Sequence, residues 1–154
     1  MTQVNAVGCE KAKLSTKAII DFVVTDVRHP LASATKVTEA GNRIVMEEGN
    51  SFIENIQTGE KIELVKADGV FKMNVVFDNG ETGYITLDSG AAVNVWPKEL
   101  QTQVRMTAPS GQRLRAANGT AIANYGNKAI GFRAKKADDS YSVVGKKAGF
   151  TRRV

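Results

Sequence analysis

The amino-acid sequence predicts a mostly-β domain with one or two short helices. Three observations favour this class: apolar and polar residues alternate with a period of two over much of the chain, β-branched residues are frequent in those stretches, and Gly-containing turn signals separate them. The chain has 154 residues, 42% of them hydrophobic, which suits one packed domain.

The first half of the chain is predicted to hold five strands and one helical turn. The helical turn is "SATKVTEAG", which Gly41 would close as a C-cap. Pairs such as Gly49-Asn50 and Asp68-Gly69 separate the strands, because these residue types accept the backbone angles of tight turns. The helical turn covers residues 33–41, and the strands cover residues 17–27, 42–48, 51–56, 60–67 and 69–77.

The second half carries shorter strands and two hairpin signals. Asn79-Gly80 follows the strand that ends at residue 77, and Asn118-Gly119 lies between two later strands, which predicts two antiparallel hairpins. Pro97 suits the first position of a helical turn over residues 97–103. The strands of this half are predicted over residues 83–90, 104–108, 112–117, 120–126 and 128–134.

Composition disfavours several classes of function. The net charge of +5 is compatible with an acidic partner, but aromatic residues make up only 6% of the chain, so a stacking surface for nucleic acid is not favoured. The apolar runs are too short to cross a membrane. Cys9 and His29 are the single cysteine and the single histidine, so they predict neither a disulfide nor a metal site. The lack of disulfides and of a signal-peptide pattern favours an intracellular location, with the compartment undetermined.

One motif carries recognisable chemistry. In "YITLDSGAA", Asp88 ends an apolar strand and is followed by Ser89, Gly90 and Ala91. A carboxylate in such a place is costly to bury alone. Ser89 could hold its orientation, Gly90 permits a sharp turn, and the small Ala91 leaves room for a peptide beside the carboxylate. Two interpretations stay open at this point: an Asp that caps a β-turn, and a catalytic carboxylate.

The wider sequence resembles the retropepsin-like aspartic proteases, in particular those of copia-type retrotransposon polyproteins. The run "ITLDSGAAVNVWPKEL" is similar to the catalytic strand and loop of that family, and "LRAANGTAIANYGNKAIGFRA" is similar to its flap hairpin and the strand that returns from it. "FVVTDVRHPLASATKVTEAGNRIVM" and "SFIENIQTGEKIELVKADGVFKMNVVF" resemble the two segments that follow the flap. The resemblance covers roughly residues 18–134.

The order of these segments departs from the family, because the half with the Asp-Ser-Gly-Ala motif comes second here. The chain therefore resembles a circular permutant in which the original ends are joined near residues 78–83. The resemblance implies a retropepsin-like closed β-barrel over residues 15–134. A flexible leader is expected at residues 1–14 and a basic flexible tail at residues 135–154.

The resemblance also implies an aspartic endopeptidase that acts as a homodimer. Such an enzyme needs two carboxylates that share one proton. This chain supplies one motif, since Asp68 and Asp78 lie near glycines but neither follows an apolar strand with a Ser or Thr directly after the Asp. The second carboxylate would then be Asp88 of another copy, in a dimer that forms through the terminal sheet.

The substrate implied by the resemblance is a polypeptide, and no cofactor or metal is expected. A substrate-binding flap would be formed by the residues at the tip of the second hairpin, namely Ala117, Asn118, Gly119 and Thr120.

Two other interpretations compete with the protease. The first is the same fold without proteolysis, as a dimerisation or interaction module. The second is a basic β-domain that binds nucleic acid, for which exposed aromatic residues are needed. The aromatic residues are instead expected in the core, because they occupy core-like strand positions or lie beside Pro97: Phe22, Phe52, Phe71, Phe77, Phe132 and Trp96.

Overall fold

The computed structural model describes residues 13–109, 114–115 and 119–137. Strands account for 53% of it and helix for 6%, which confirms the mostly-β class. The elements are β1 (Ala18–Thr25), β2 (Leu31–Ser33), α1 (Ala34–Glu39), β3 (Asn42–Val45), β4 (Ser51–Asn55), β5 (Lys61–Ala67), β6 (Val70–Phe77), β7 (Thr82–Asp88), β8 (Val95–Pro97), β9 (Leu114–Arg115), β10 (Ala121–Ile122) and β11 (Gly126–Ala134).

Six strands form a closed barrel in the order β11, β1, β8, β2, β7 and β6. The barrel closes where the end of β6 pairs antiparallel with the end of β11, with Phe77 opposite Phe132. The first residues of β6 pair on the same edge with β5, and β4 and β3 continue the sheet antiparallel from there. One edge of β6 therefore serves both the barrel and a three-stranded extension.

Two chain connections interlock inside the barrel. β1 runs parallel to β8, and β2 runs parallel to β7. Since the chain passes from β1 to β2 and from β7 to β8, the second strand of each connection lies beside the first strand of the other. This arrangement brings Ser33, at the start of α1, directly opposite Asp88, at the end of β7.

The barrel interior is packed around Trp96, which is fully buried. Its ring centroid lies 4.8 Å from that of Phe22 and 5.8 Å from that of Phe77. Its Nε1 donates a hydrogen bond to the carbonyl of Leu100 at 2.8 Å, as a buried indole requires. The phenylalanines that the sequence predicts in the core are confirmed there. Four of them are buried: Phe22, Phe52, Phe77 and Phe132. Phe71 is partly buried and packs against the core.

A lysine also lies in this interior. Alternate residues of β11 point inward, and Lys128 is one of them, only 5% exposed. Its Nζ donates to the carbonyl of Gln101 at 3.1 Å, and burial lowers the pKa of Lys128 below that of a free lysine.

The predicted helix and the first predicted hairpin are confirmed. Ser33 caps α1 by accepting a hydrogen bond from the N–H of Lys36 at 3.2 Å, and Gly41 follows the helix with φ +97°. β6 and β7 pair antiparallel through a turn in which the N–H of Phe77 donates to the carbonyl of Glu81 at 2.8 Å. Gly80 has φ +90° in this turn, where glycine is favoured.

Three local expectations differ from the structure. The helical turn predicted over residues 97–103 is absent: Pro97 ends β8 and residues 98–103 form turns, because Gln101 has φ 53° and interrupts the helical backbone. Residues 104–108 contribute only an isolated bridge between Thr107 and Asn127. The strands β2 and β8 were not predicted, since three residues are too few to show a period of two.

Strand pairing also reaches past the ends of the expected domain. Leu14 forms an isolated bridge with Lys135, and Lys136 forms one with Ile62. The rest of the expected leader and tail, residues 1–12 and 138–154, lies outside the described residues, as does Cys9. No helix in the described ranges has the length and apolarity that a membrane crossing requires.

Candidate active site

Asp88 is the last residue of β7 and is half-buried. Its Oδ1 accepts a hydrogen bond from the N–H of Gly90 at 2.8 Å, and its carbonyl accepts one from the N–H of Ala91 at 3.4 Å. Ser89 and Gly90 are exposed, so the motif forms a tight turn at the end of the barrel. The turn-capping role of Asp88 is therefore real, but it occupies only one of the two carboxylate oxygens.

Two polar side chains, one on β2 and one in the loop itself, fix this turn to the neighbouring strands. The hydroxyl of Ser33, which is fully buried, donates to the carbonyl of Ala91 at 2.7 Å. The side chain of Asn94 accepts from the N–H of Ser33 at 2.7 Å and donates to the carbonyl of Asp21 at 3.3 Å. The loop after Asp88 is thus fixed to both β1 and β2.

The residue opposite Asp88 in the parallel pair is a serine, Ser33, and not a second acid. The other two acids that lie near glycines are in turns and not at the end of a strand that pairs with β2. Asp68 has φ 53° between β5 and β6, and Asp78 forms an ion pair with Lys17 at 3.0 Å between β6 and β7. The described part of this chain therefore places no carboxylate at the position that mirrors Asp88.

The second predicted hairpin is present where the structure describes it. β9 and β10 pair antiparallel, with Arg115 opposite Ala121, and Nη1 of Arg115 donates to the carbonyl of Gly119 at 2.9 Å. Gly119 has φ +87° and Thr120 directly precedes β10. Two of the predicted flap residues, Ala117 and Asn118, lie outside the described residues.

The chain that returns from this hairpin is tied to the end of β1. The hydroxyl of Thr25 donates to the carbonyl of Ala123 at 2.6 Å, and the N–H of Tyr125 donates to the carbonyl of Val24 at 2.9 Å. Because β1 is a barrel strand, these bonds give the hairpin a firm base.

A charged cluster strengthens the same attachment. The hydroxyl of Tyr125 donates to the carboxylate of Asp26 at 2.9 Å, and Nζ of Lys98 lies 3.3 Å from that carboxylate and 4.8 Å from the centre of the Tyr125 ring. The hydrogen bond from Tyr125, followed by that from Lys98, lowers the pKa of Asp26, and Asp26 in turn raises the pKa of Lys98. No local sequence pattern indicates this cluster, since its members are distant along the chain.

A separate cleft of about 1040 Å³ lies along β1, α1 and the turn between β4 and β5. Asn94 lines this cleft, but Asp88 does not. The structure therefore brings Asp88 together with Ser89, Gly90 and Ala91 in one turn and keeps it apart from this cleft. In the described ranges, no three His, Cys, Asp or Glu side chains are grouped so that they could hold a metal ion.

Sequence reasoning missed two residues that position the turn, Ser33 and Asn94. A signal existed for Ser33, because a serine directly before a helical pattern is a common N-cap. Comparison of the chain with protein-family models, with curated proteins and with solved structures finds no match.

Proposed function

We propose that the chain is an aspartic endopeptidase of the retropepsin-like type, active as a homodimer that places two Asp88 carboxylates face to face. The placement of Asp88 carries the proposal: it ends an apolar barrel strand, is half-buried, and starts a loop that Ser33 and Asn94 hold from two sides. Firm support of this kind suits a reacting group, because small displacements cost large factors in rate.

A second copy of the chain is needed because each chain contributes one Asp-Ser-Gly carboxylate, that of Asp88. Two close carboxylates can share a proton, so that one acts as a base while the other acts as an acid. Ser33 stands where an internal partner of Asp88 would be expected from the parallel register. A two-fold axis beside the Asp88 turn supplies the missing acid from an identical chain.

The proposed reaction needs only this acid pair and a water molecule. The ionised Asp88 accepts a proton from the water, whose oxygen attacks the peptide carbonyl carbon, while the protonated Asp88 of the other copy donates its proton to the carbonyl oxygen. The resulting diol collapses when the nitrogen takes a proton from the acid pair and the C–N bond breaks. A diol proton passes to the other carboxylate, so the pair regains its single shared proton.

The hairpin of β9 and β10 is proposed to cover an extended substrate. Its base is attached to β1 through Thr25 and Tyr125, whereas the hairpin itself forms a separate two-stranded sheet. An element with a fixed base and few contacts of its own can close over a substrate and exclude water.

The permuted order is part of the proposal. The junction expected near residues 78–83 coincides with the turn between β6 and β7, which two backbone hydrogen bonds close. A short turn between neighbouring antiparallel strands is a connection that a permuted chain can use, since it joins ends that already lie side by side.

Cleavage of an unstructured polypeptide at about pH 4 to 6 tests the proposal. We expect Asp88→Asn to reduce the cleavage rate by about 10²- to 10⁴-fold. The fold should survive, because the Asn side-chain oxygen can still accept from the N–H of Gly90. Asp78→Asn is the matched control, since it makes the same chemical change in the turn at the opposite end of β7 and removes only an exposed ion pair with Lys17.

Sedimentation equilibrium of the same samples measures the assembly. The proposal expects a dimer and cleavage that is lost on dilution as the dimer dissociates. Equal cleavage by the Asp88→Asn variant, or activity from a species that sediments as a monomer, would contradict it. A dimer without cleavage would identify the chain as an interaction module instead.

A further inference from the structure

In the part of the chain that the structure describes, the first half of β1 has a partner strand on one side only. β11 pairs with β1 from Ala18 to Val24, whereas β8 joins the other edge only from Val23 onward. No other described strand pairs with residues 18–22 on that second edge. A free edge exposes backbone N–H and C=O groups that another extended chain can satisfy.

The backbone groups on the free edge can be identified. The N–H of Val23 donates to Asn94 on the β8 side at 2.9 Å, and the carbonyl of Val24 accepts from the β11 side. Because successive residues of a strand direct these groups to opposite edges, Ile19 and Asp21 direct theirs to the free edge. The carbonyl of Asp21 already accepts from the side chain of Asn94. Among the described residues, no strand pairs with the N–H of Asp21 or with either backbone group of Ile19 on this edge, so these groups can face a new strand.

The cleft of about 1040 Å³ runs along this edge. Ile19, Asp21 and Asn94 line it together with Val37 of α1 and the Thr58-Gly59 turn. The volume lies at the upper end of the range for ligand sites. Ile19 is 66% exposed there, so an apolar side chain of an added strand would find an apolar neighbour.

The charges around the cleft are mostly positive. Four lysines line it against two acids, and one of those acids, Glu60, already accepts the N–H of Thr16 at 3.1 Å. Lys17 and Lys36 are themselves paired with Asp78 and Glu39, so Lys61 and Lys136 carry most of the positive excess. A positive excess favours acidic groups on the occupant. The lysines are Lys17, Lys36, Lys61 and Lys136.

We infer that this edge and cleft bind an extended peptide with acidic side chains at alternate positions, added as a strand beside β1. Backbone hydrogen bonds to Ile19 and Asp21 supply the attachment, and the lysines supply the preference for acidic side chains. The site does not include Asp88, so the inference stands independently of the proposed proteolysis.

A nine-residue synthetic peptide in which Val alternates with Glu is the probe, and the same peptide with Lys in place of Glu is its charge control. Fluorescence anisotropy should show binding of the Glu peptide at least about tenfold tighter than the Lys peptide. Amide hydrogen exchange should slow at Ile19 and Asp21 on binding. Exchange at Ile20 should stay the same, because its amide faces β11.

Two variants test the edge and the charges separately. Ile19→Pro removes the free-edge N–H at a position where an edge strand tolerates proline, and it should abolish binding. Ile19→Val keeps the N–H and should bind like the parent chain. The double variant Lys61→Glu, Lys136→Glu leaves the edge intact and should weaken binding by at least about tenfold, so the inference stays testable even if Ile19→Pro does not fold.

Several outcomes would overturn the inference. Equal binding of both peptides, no binding of either, or no change in exchange at Ile19 each exclude an acidic added strand. A dimer that Ile19→Pro dissociates would instead identify a second copy of the chain as the occupant. Asp88→Asn should bind the Glu peptide unchanged, which separates this test from that of the protease.

Discussion

The two hairpins of this chain share a turn signal but differ in their contribution to the fold. Asn79-Gly80 joins β6 and β7, which pair at six positions and form part of the barrel. Asn118-Gly119 lies between β9 and β10, which have two residues each and form a separate sheet. The same dipeptide therefore marks a chain reversal in both places without deciding what the strands do next.

The difference arises from the apolar residues of the strands. β6 buries every second residue of its last part, with Met73 2%, Val75 2% and Phe77 5% exposed, so the first hairpin is held by the core. In the second hairpin only Leu114 is buried among the strand residues described. A two-stranded sheet without a core is marginally stable, and local opening is easiest in such elements.

Truncation of one apolar side chain in each hairpin should give the largest difference between the hairpins in the free energy of unfolding. Ile85→Ala in β7 removes a fully buried side chain and should lower the free energy of unfolding by about 2–5 kcal/mol. Leu114→Ala in β9 removes a side chain of equal size and should cost about 1 kcal/mol, because the small sheet can collapse around the gap. Urea denaturation of both variants measures the difference. Equal losses would show that β9 belongs to the core.

Replacement of the two turn glycines should give a smaller difference between the hairpins in the free energy of unfolding. Gly80 has φ +90° and Gly119 has φ +87°, so alanine is strained at both by roughly 1–2 kcal/mol. Gly80→Ala should lower the free energy of global unfolding by that amount. Gly119→Ala should leave global unfolding unchanged and speed amide exchange only around Arg115 and Ala121. A loss of global stability in both variants would contradict the comparison.

The charged cluster at the base of the second hairpin should give the smallest effect. The lowered pKa of Asp26 means that folding favours its ionised form. The cluster therefore adds stability above the usual carboxyl pKa, and this stability is lost as the pH falls through the lowered value. Asp26→Asn should lower the melting temperature slightly at pH 7 and match the parent chain at about pH 2. Tyr125→Phe, which keeps the ion pair with Lys98, is the control and should lose less.

Much of the fold could be predicted because its signals are local. The phenylalanines and Trp96 were expected in the core and are there, and α1 carries its cap and its terminal glycine in the sequence. The three-residue strands β2 and β8 could not be found this way, since parallel pairing between distant segments defines them. The turns around Gln101 also differ from the predicted helical turn, because a positive φ at a non-glycine residue leaves no pattern in the sequence.

The candidate site shows the same limit. Asp88 and its three following residues could be read from the sequence as one motif, and they form one turn. The support of that turn could not, because Ser33 lies 55 positions before Asp88 and reaches it only through the register of β2 and β7. The free edge of β1 is likewise a property of the sheet order, which no segment of sequence displays by itself.

The divided edge of β6 has a consequence for how the whole molecule comes apart. Its first residues hold the β3–β5 extension and its last residues close the barrel against β11. If either part separates from β6, it exposes the backbone of β6, and the other part is paired with that same strand. Heat should therefore melt the extension and the barrel in one shared transition, with β6 the last strand to exchange its amide protons.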